Sequence, residues 1–263
     1  MNDEIGKIQK PKAEKVMGKK KAFICVLLQA PQEASKELHD LIFKYWEAVD
    51  KNISTLEEKT GLVKKIFVEG IPGKGEDVAI NLKEASLGAW NITEERRKTG
   101  AEISELENLE NLQKVIDWSK CLNVGLTNRS VAEKISEELK KASEERYEHI
   151  NKSLSENLVE GESAIIFTGN QDINIPDDIE KFIISPPELD QVAQWVKNAQ
   201  AAMEAELKKA YESQAPNVEN NTPEDKKDNS ENSDSGLWLS LIHISEPTRP
   251  LYISYAVFFL KKK

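Results

Sequence analysis

Cysteine and histidine are both scarce in this sequence of 263 residues, which contains 2 cysteines and 3 histidines. Cys25 and Cys121 lie in apolar runs without the spacing of a zinc site, so we expect two free thiols in a reduced cytoplasm. His39 and His149 lie among polar neighbours in helical segments, away from predicted strand ends and from Gly-flanked serines. The sequence therefore gives no support for a Ser–His–Asp or Cys–His nucleophile.

Long hydrophobic runs and an excess of positive charge are also missing. Lysine and arginine total 36 against 46 aspartates and glutamates, which gives a formal net charge of −10. A field of that sign repels phosphate, so DNA binding as a main activity is disfavoured. Ile253–Leu260, the one segment that resembles a membrane anchor, is far shorter than the roughly 20 residues of a spanning helix, so no membrane contact is expected.

The apolar run Ala22–Leu28 has two interpretations. Lys19–Lys21 precede it, as in a signal peptide, but the run is at the short limit of about 7 residues for the apolar region of such peptides. Valine, isoleucine, phenylalanine and leucine in a run that ends at Gln29 and Pro31 are typical of a central strand covered on both faces. We favour the strand in a cytoplasmic protein, with export as the alternative.

Residues 239–263 do not have the character of native protein. Back-translation of Leu239–Arg249 (LSLIHISEPTR) gives the arm of a transposase-type library adaptor, and Ile253–Val257 (ISYAV) gives its flow-cell end. The segment resembles a translated sequencing adaptor, so we expect the native chain to end at about Trp238 and to start at Met1 or Met17. Without it, the 36 basic and 46 acidic residues fall by 4 and 1, which leaves a net charge of −13. Residues 1–238 resemble no family of known function.

The central part of the chain repeats one pattern, in which a strand leads into a long helix, a glycine and a second strand. The four strands are predicted at Phe23–Gln29, Leu62–Gly70, Cys121–Leu126 and Glu162–Gly169. Trp46 in the first helix aligns with Tyr147 in the second, which indicates an internal duplication. We predict an α/β fold, a layered sheet with long crossover helices built from two pseudo-repeated strand–helix–strand units.

The chain is thereby divided into five segments. They are a flexible basic arm (1–21), the first unit with its connecting helices (22–120), the second unit with the C-terminal helix (121–212), a disordered polar tail (213–238) and the adaptor-like residues (239–263). The tail has too few apolar residues to offset its ordering entropy. An apolar stripe from Leu189 to Ala210 suits the C-terminal helix for pairing with a second copy, so a homodimer is one expectation.

Two further motifs have simple interpretations. The loop Gly70–Glu76 (GIPGKGE) departs from a P-loop, because only two residues separate Gly70 from the Gly–Lys pair and Gly75 replaces the hydroxyl that would hold magnesium. We interpret it as a Gly/Pro turn after a strand. The basic cluster Arg96–Lys98 lies in a Glu-rich stretch and is interpreted as a solvated helix face.

Carboxylates near predicted strand ends provide the one candidate catalytic site. Glu69 ends one strand, and Asp172, Asp177 and Asp178 follow its counterpart in the other half. Ligands in open α/β sheets bind beyond the carboxyl ends of the strands, and oxygen ligands suit Mg²⁺. If the two units faced each other, these four side chains could converge on one cation.

The leading interpretation is a cytoplasmic binding or regulatory module without catalytic activity or cofactor, since no nucleophile, cofactor loop or soft-metal spacing is recognised. One alternative is a Mg²⁺-dependent hydrolase of phosphate esters that uses the four carboxylates. The other is a ribosome- or RNA-associated factor, which the acidic charge opposes.

Overall fold

The computed structural model describes residues 18–214 of the chain. The strands are β1 (Lys20–Val26), β2 (Val63–Val68), β3 (Glu102–Ile103), β4 (Ser163–Thr168) and β5 (Ile179–Ile184). The helices are α1 (Lys36–Thr60), α2 (Glu76–Ala85), α3 (Leu87–Lys98), α4 (Leu109–Leu122), α5 (Arg129–Asn157) and α6 (Pro187–Gln214). The adaptor-like segment, residues 215–238 of the predicted tail and residues 1–17 of the predicted arm lie outside the described residues.

The five strands form one parallel sheet in the order β3–β2–β4–β1–β5. Phe23 of β1 lies opposite Ile165 of β4 on one side and Phe182 of β5 on the other. β1 is therefore an interior strand, as its continuous apolar run predicts. Helices alternate with strands along the chain, so the predicted α/β fold is confirmed.

Helices cover both faces of the sheet. Successive residues of a strand point to opposite faces, so each strand contributes side chains to both helix layers. On the α5 face, Ile150 and Leu154 of α5 belong to one buried cluster. Its sheet members are Ala22, Ile24, Phe67, Ala164 and Ile166. The segment between β4 and β5 crosses the same face, where Ile173 and Ile175 are buried. On the opposite face, the α1 face, the ring of Trp46 lies 6.0 Å from that of Phe167.

Ser35 and Gly61 define the ends of α1, and two aromatic side chains fix the helix to the sheet. Ser35 accepts a hydrogen bond from the Leu38 amide at the start of α1, and Gly61 ends the helix at φ 92°. The Tyr45 hydroxyl donates to the Val26 carbonyl at 2.7 Å, and the Trp46 indole donates to the Leu28 carbonyl at 3.1 Å. These bonds join α1 to the carboxyl end of β1.

The predicted strand at Cys121–Leu126 is wrong. Cys121 and Leu122 end α4, which packs against α5, and a turn with Gly125 at φ 73° follows. Cys121 and Leu122 are partly buried on α4, and Val124 is exposed in the turn after it, so the second half has the order helix–helix–strand. β4 also lies between β1 and β2, so the strands of the two predicted units alternate in one sheet. The architecture does not show two matching strand–helix–strand units.

Contacts divide the described chain after Ala193. α6 belongs to the α/β unit as far as Ala193, with Val192 buried, and to a second unit from Gln194. In the second unit, the side chain of Met203 is 64% exposed. Among the helices of residues 18–214, none combines the length and the apolarity needed to cross a lipid bilayer.

Candidate functional site

The carboxyl ends of β1, β2 and β4 meet at one edge of the sheet, because the strands are parallel. The chain leaves β1 and β2 toward helices on the α1 face, and it leaves β4 along the α5 face. Neighbouring strands whose connections leave on opposite faces open a crevice at their carboxyl ends, where α/β proteins bind ligands. Both sides of β4 are therefore expected ligand positions in this fold.

The crevice between β2 and β4 contains a buried ionic network formed by Glu69, Glu107 and Arg146, named here the Arg146 cluster. Arg146 Nη2 lies 3.0 Å from Glu69 Oε1, and Arg146 Nε donates to Glu107 Oε2 at 3.0 Å. The Gly169 amide donates to Glu69 Oε2 at 2.8 Å, and the Gly70 amide donates to Glu107 Oε1 at 2.9 Å. Each carboxylate thus accepts hydrogen bonds from a backbone amide and from the guanidinium.

Charge pairing keeps the guanidinium of Arg146 protonated although it is buried. Burial by itself lowers the pKa of Arg146, but the hydrogen bonds and charges of Glu107 and Glu69 outweigh that effect and raise the pKa above its ordinary value. The side chain of Glu107 has no exposed surface. The cluster therefore joins β2, α5 and the loop after β3. Glu69 has a structural role in it, because its carboxylate binds Arg146 and the Gly169 amide.

The structure does not bring the four predicted carboxylates together. Asp172 is exposed in the segment that crosses the α5 face, and its amide donates to Asn170 Oδ1. Asp177 and Asp178 precede β5 at the amino edge of the sheet, where Asp178 lies 2.9 Å from Lys20 Nζ. Glu69 follows β2 at the opposite edge, roughly 20 Å away at about 3.3 Å per strand residue. Within residues 18–214, no group of three or more histidine, cysteine or acidic side chains is placed to hold a metal ion.

Two concavities formed by residues 18–214 bear on a possible site, and both are open to solvent. One, of about 530 Å³, lies beside Asp172 on the α5 face and is lined by Glu144, Tyr147, Glu148, Asn151 and Asn174. The other, of about 370 Å³, lies between α1 and α3 beside the end of β1 and is named here the α1/α3 groove. Its lining residues are Gln29, Ala30, His39, Ile42, Phe43, Trp46, Glu47, Asp50, Leu87, Gly88, Asn91, Ile92 and Glu95.

The Leu28 carbonyl contacts both walls of the α1/α3 groove. The Leu28 carbonyl accepts a hydrogen bond from the Trp46 indole and another, at 2.8 Å, from the hydroxyl of Ser86, which caps α3. Gly88 lies directly against the indole, since a Cβ at this position would stand 2.2 Å from Trp46 Cγ. The close approach of α3 to α1 therefore depends on the missing side chain of Gly88.

The groove has an apolar end and an acidic end. At the apolar end, Phe43 is 64% exposed and Leu87 is 51% exposed, above the buried Trp46. At the acidic end, the carboxylates of Glu47, Asp50 and Glu95 line the groove. Exposed apolar patches rimmed by polar residues mark interaction sites, whereas single scattered apolar residues on a surface are normal.

Arg96 lies beneath the acidic end and corrects one prediction from the sequence. It was expected on a solvated helix face, but its side chain is only 7% exposed and pairs with Asp50 and Glu57. Arg97 and Lys98, by contrast, form partly or fully exposed ion pairs within and next to α3.

The loop Gly70–Glu76 is a turn with Gly73 and Gly75 at positive φ.

No pattern in the sequence predicted the α1/α3 groove. Ile42 and Trp46 belong to the buried apolar stripe of α1. Phe43 lies outside that stripe, and this large apolar residue on the polar side of an amphipathic helix was the available signal. Leu87 gave no comparable signal because α3 has weak amphipathic character.

Comparison with models of protein families, with curated proteins and with solved structures finds no match to this chain.

Proposed function

We propose that this protein is a non-catalytic binding module that holds an apolar side chain of a partner protein in the α1/α3 groove. The observation that carries this proposal is the exposure of Phe43 and Leu87 beside a concavity with a buried tryptophan at its base. The engagement of Glu69 by Arg146 is consistent with it, because the candidate catalytic carboxylate at the sheet edge has a structural role.

The energetics of the groove suit a moderate, reversible interaction. Covering the exposed parts of Phe43 and Leu87 supplies about 1 kcal/mol each, and the apolar group of the partner gains a similar amount or more. The groove walls are preformed by the bonds to the Leu28 carbonyl, so little conformational entropy is lost on binding. A few well-placed apolar contacts then provide most of the affinity.

The α1/α3 groove is expected to bind an uncharged apolar dye. Nile red is expected to bind the full chain with increased fluorescence, and Phe43→Gln is expected to weaken this binding severalfold, because it removes the main exposed apolar wall. Fluorescence titration measures the effect. Ile80→Gln is the matched control, since Ile80 is 55% exposed on α2 outside the groove. Equal binding by both variants and the wild type would contradict the proposal.

The other functions considered from the sequence have less support. The Mg²⁺-dependent hydrolase lacks an assembled set of the four carboxylates in the described part of the chain. The RNA-associated factor stays a prediction opposed by the net charge of −10. We place the binding module in the cytoplasm, a proposal supported by the free thiols of Cys25 and Cys121. We also retain the proposal that residues 239–263 derive from an adaptor.

A second copy of the chain, bound through α6, is a further proposed partner. In the described part of α6 after Gln194, Ala199 and Met203 are exposed on the predicted apolar stripe. Sedimentation of the full chain is expected to give twice the chain mass, and Met203→Glu is expected to shift it toward the monomer because a charge enters the helix interface. Met203→Leu keeps the stripe apolar and should sediment as the wild type does. A monomeric wild type would remove the proposal.

A further inference from the structure

The polarity of the α1/α3 groove identifies the chemistry of its partner. We propose that the groove binds a short amphipathic helix that carries a large apolar anchor and, one to two turns further along, a lysine or arginine. This inference rests on the proposed function, because it assumes that the groove is a binding surface. It adds the charge, the length and the internal spacing of the bound segment.

The charge of the partner follows from the groove lining. Three carboxylates line the groove, from Glu47, Asp50 and Glu95, whereas no lysine or arginine is among the described residues that line it. Asp50 is paired with Arg96, and Glu95 is paired with Lys98 at 2.7 Å. Within residues 18–214, Glu47 has no ion pair, so its exposed carboxylate is the group best placed to receive a cation from outside.

The spacing of the partner's anchor and cation follows from the geometry of α1. Glu47 lies four residues after Phe43 on α1, about 6 Å along the helix axis, and Asp50 lies three residues further. A helix bound along the groove matches these separations with an apolar residue at position i and basic residues at i+4 and i+7. The groove wall from His39 to Asp50 is about 16 Å long, which corresponds to a bound helix of about 11 residues.

Electrostatics disfavour other occupants of the groove. An anionic lipid surface or a nucleic acid would bring phosphate next to Glu47, Asp50 and Glu95, with like-charge repulsion. The α1/α3 groove of a second copy carries the same carboxylates, so pairing of one groove with another meets the same repulsion. A cationic segment instead gains favourable steering from the whole protein.

The test uses two synthetic 12-residue amphipathic peptides with the same leucine stripe, one with lysine at i+4 and i+7 and the other with glutamate there. In fluorescence anisotropy with the full chain at low salt, the lysine peptide is expected to bind about tenfold more tightly than the glutamate peptide. Glu47→Lys is expected to bring this ratio close to one. Glu137→Lys, an equal change of charge at an exposed position of α5, should keep the preference for lysine.

The outcomes separate this inference from the proposed function. If Nile red binds but the two peptides bind equally, or neither peptide binds, the groove remains an apolar site and the inferred cationic partner is wrong. If Nile red does not bind either, the proposed function fails as well. A preference for lysine that Glu47→Lys and Glu137→Lys reduce equally would reflect only the overall charge and would also overturn the inference.

Discussion

Replacement of Arg146 by methionine is expected to lower the free energy of unfolding by about 3–5 kcal/mol, the largest effect of any single change considered. The variant leaves the carboxylates of Glu69 and Glu107 buried without their shared guanidinium, while the cost of removing them from water remains. Methionine fills much of the arginine volume, so the loss reports charge pairing more than packing. Denaturant unfolding followed by circular dichroism measures it.

Two companion variants make the Arg146 prediction specific. Lys140→Met changes a lysine that is 79% exposed on the same helix and should alter stability by less than about 0.5 kcal/mol. Glu69→Gln together with Glu107→Gln in the Arg146→Met background should recover part of the loss, because no unpaired buried charge remains. A loss below 1 kcal/mol for Arg146→Met, with no recovery, would show that the cluster does not stabilise the fold as described.

Gly88→Ala is expected to destabilise the protein by about 1–3 kcal/mol, the usual range for an overpacked interior, and to weaken Nile red binding. The new methyl group would stand 2.2 Å from Cγ of Trp46, so either α3 or the indole must move. Movement of the indole would also break its hydrogen bond to the Leu28 carbonyl. Thermal unfolding and the dye titration together measure the result.

The control for Gly88→Ala is Gly18→Ala, where an added Cβ meets nothing within 4 Å. A double-mutant cycle with Trp46→Phe tests the cause directly, since the smaller ring leaves room for the methyl group. Gly88→Ala should cost less in the Trp46→Phe background than in the wild type. Equal costs in the two backgrounds would show that the contact between α3 and the indole is not the source of the effect.

Local patterns in the sequence predicted most of the individual elements. The apolar run at Ala22–Leu28 predicted β1, and the apolar residues from Leu38 to Ile53 have the spacing that is typical of the buried side of a helix, as found in α1. The error at Cys121–Leu126 arose because a short apolar run fits a buried strand and a helix equally well. The position of β4 between β1 and β2 could not be predicted either, because strand order depends on packing between distant segments.

The candidate site was harder to predict because its contacts join distant parts of the chain. Arg146 meets Glu69 across 77 residues, and no local pattern indicates that pairing. Asp178 precedes a strand and Glu69 follows one, but the sequence does not show which edge of the sheet each residue occupies. The role of Gly88 could not be predicted either, because it depends on the indole of Trp46, which lies on a helix much earlier in the chain.

The position of β4 has a consequence for biosynthesis. When the ribosome has released residues up to Leu122, β1 and β2 are complete, yet the strand that hydrogen-bonds to both has not been made. The nascent chain then contains two strands whose backbone groups lack their β4 partners, and apolar side chains that Ala164–Phe167 would cover are still exposed. Productive folding of the sheet therefore waits for the final third of the described chain, and premature termination before that point leaves an intermediate prone to aggregate.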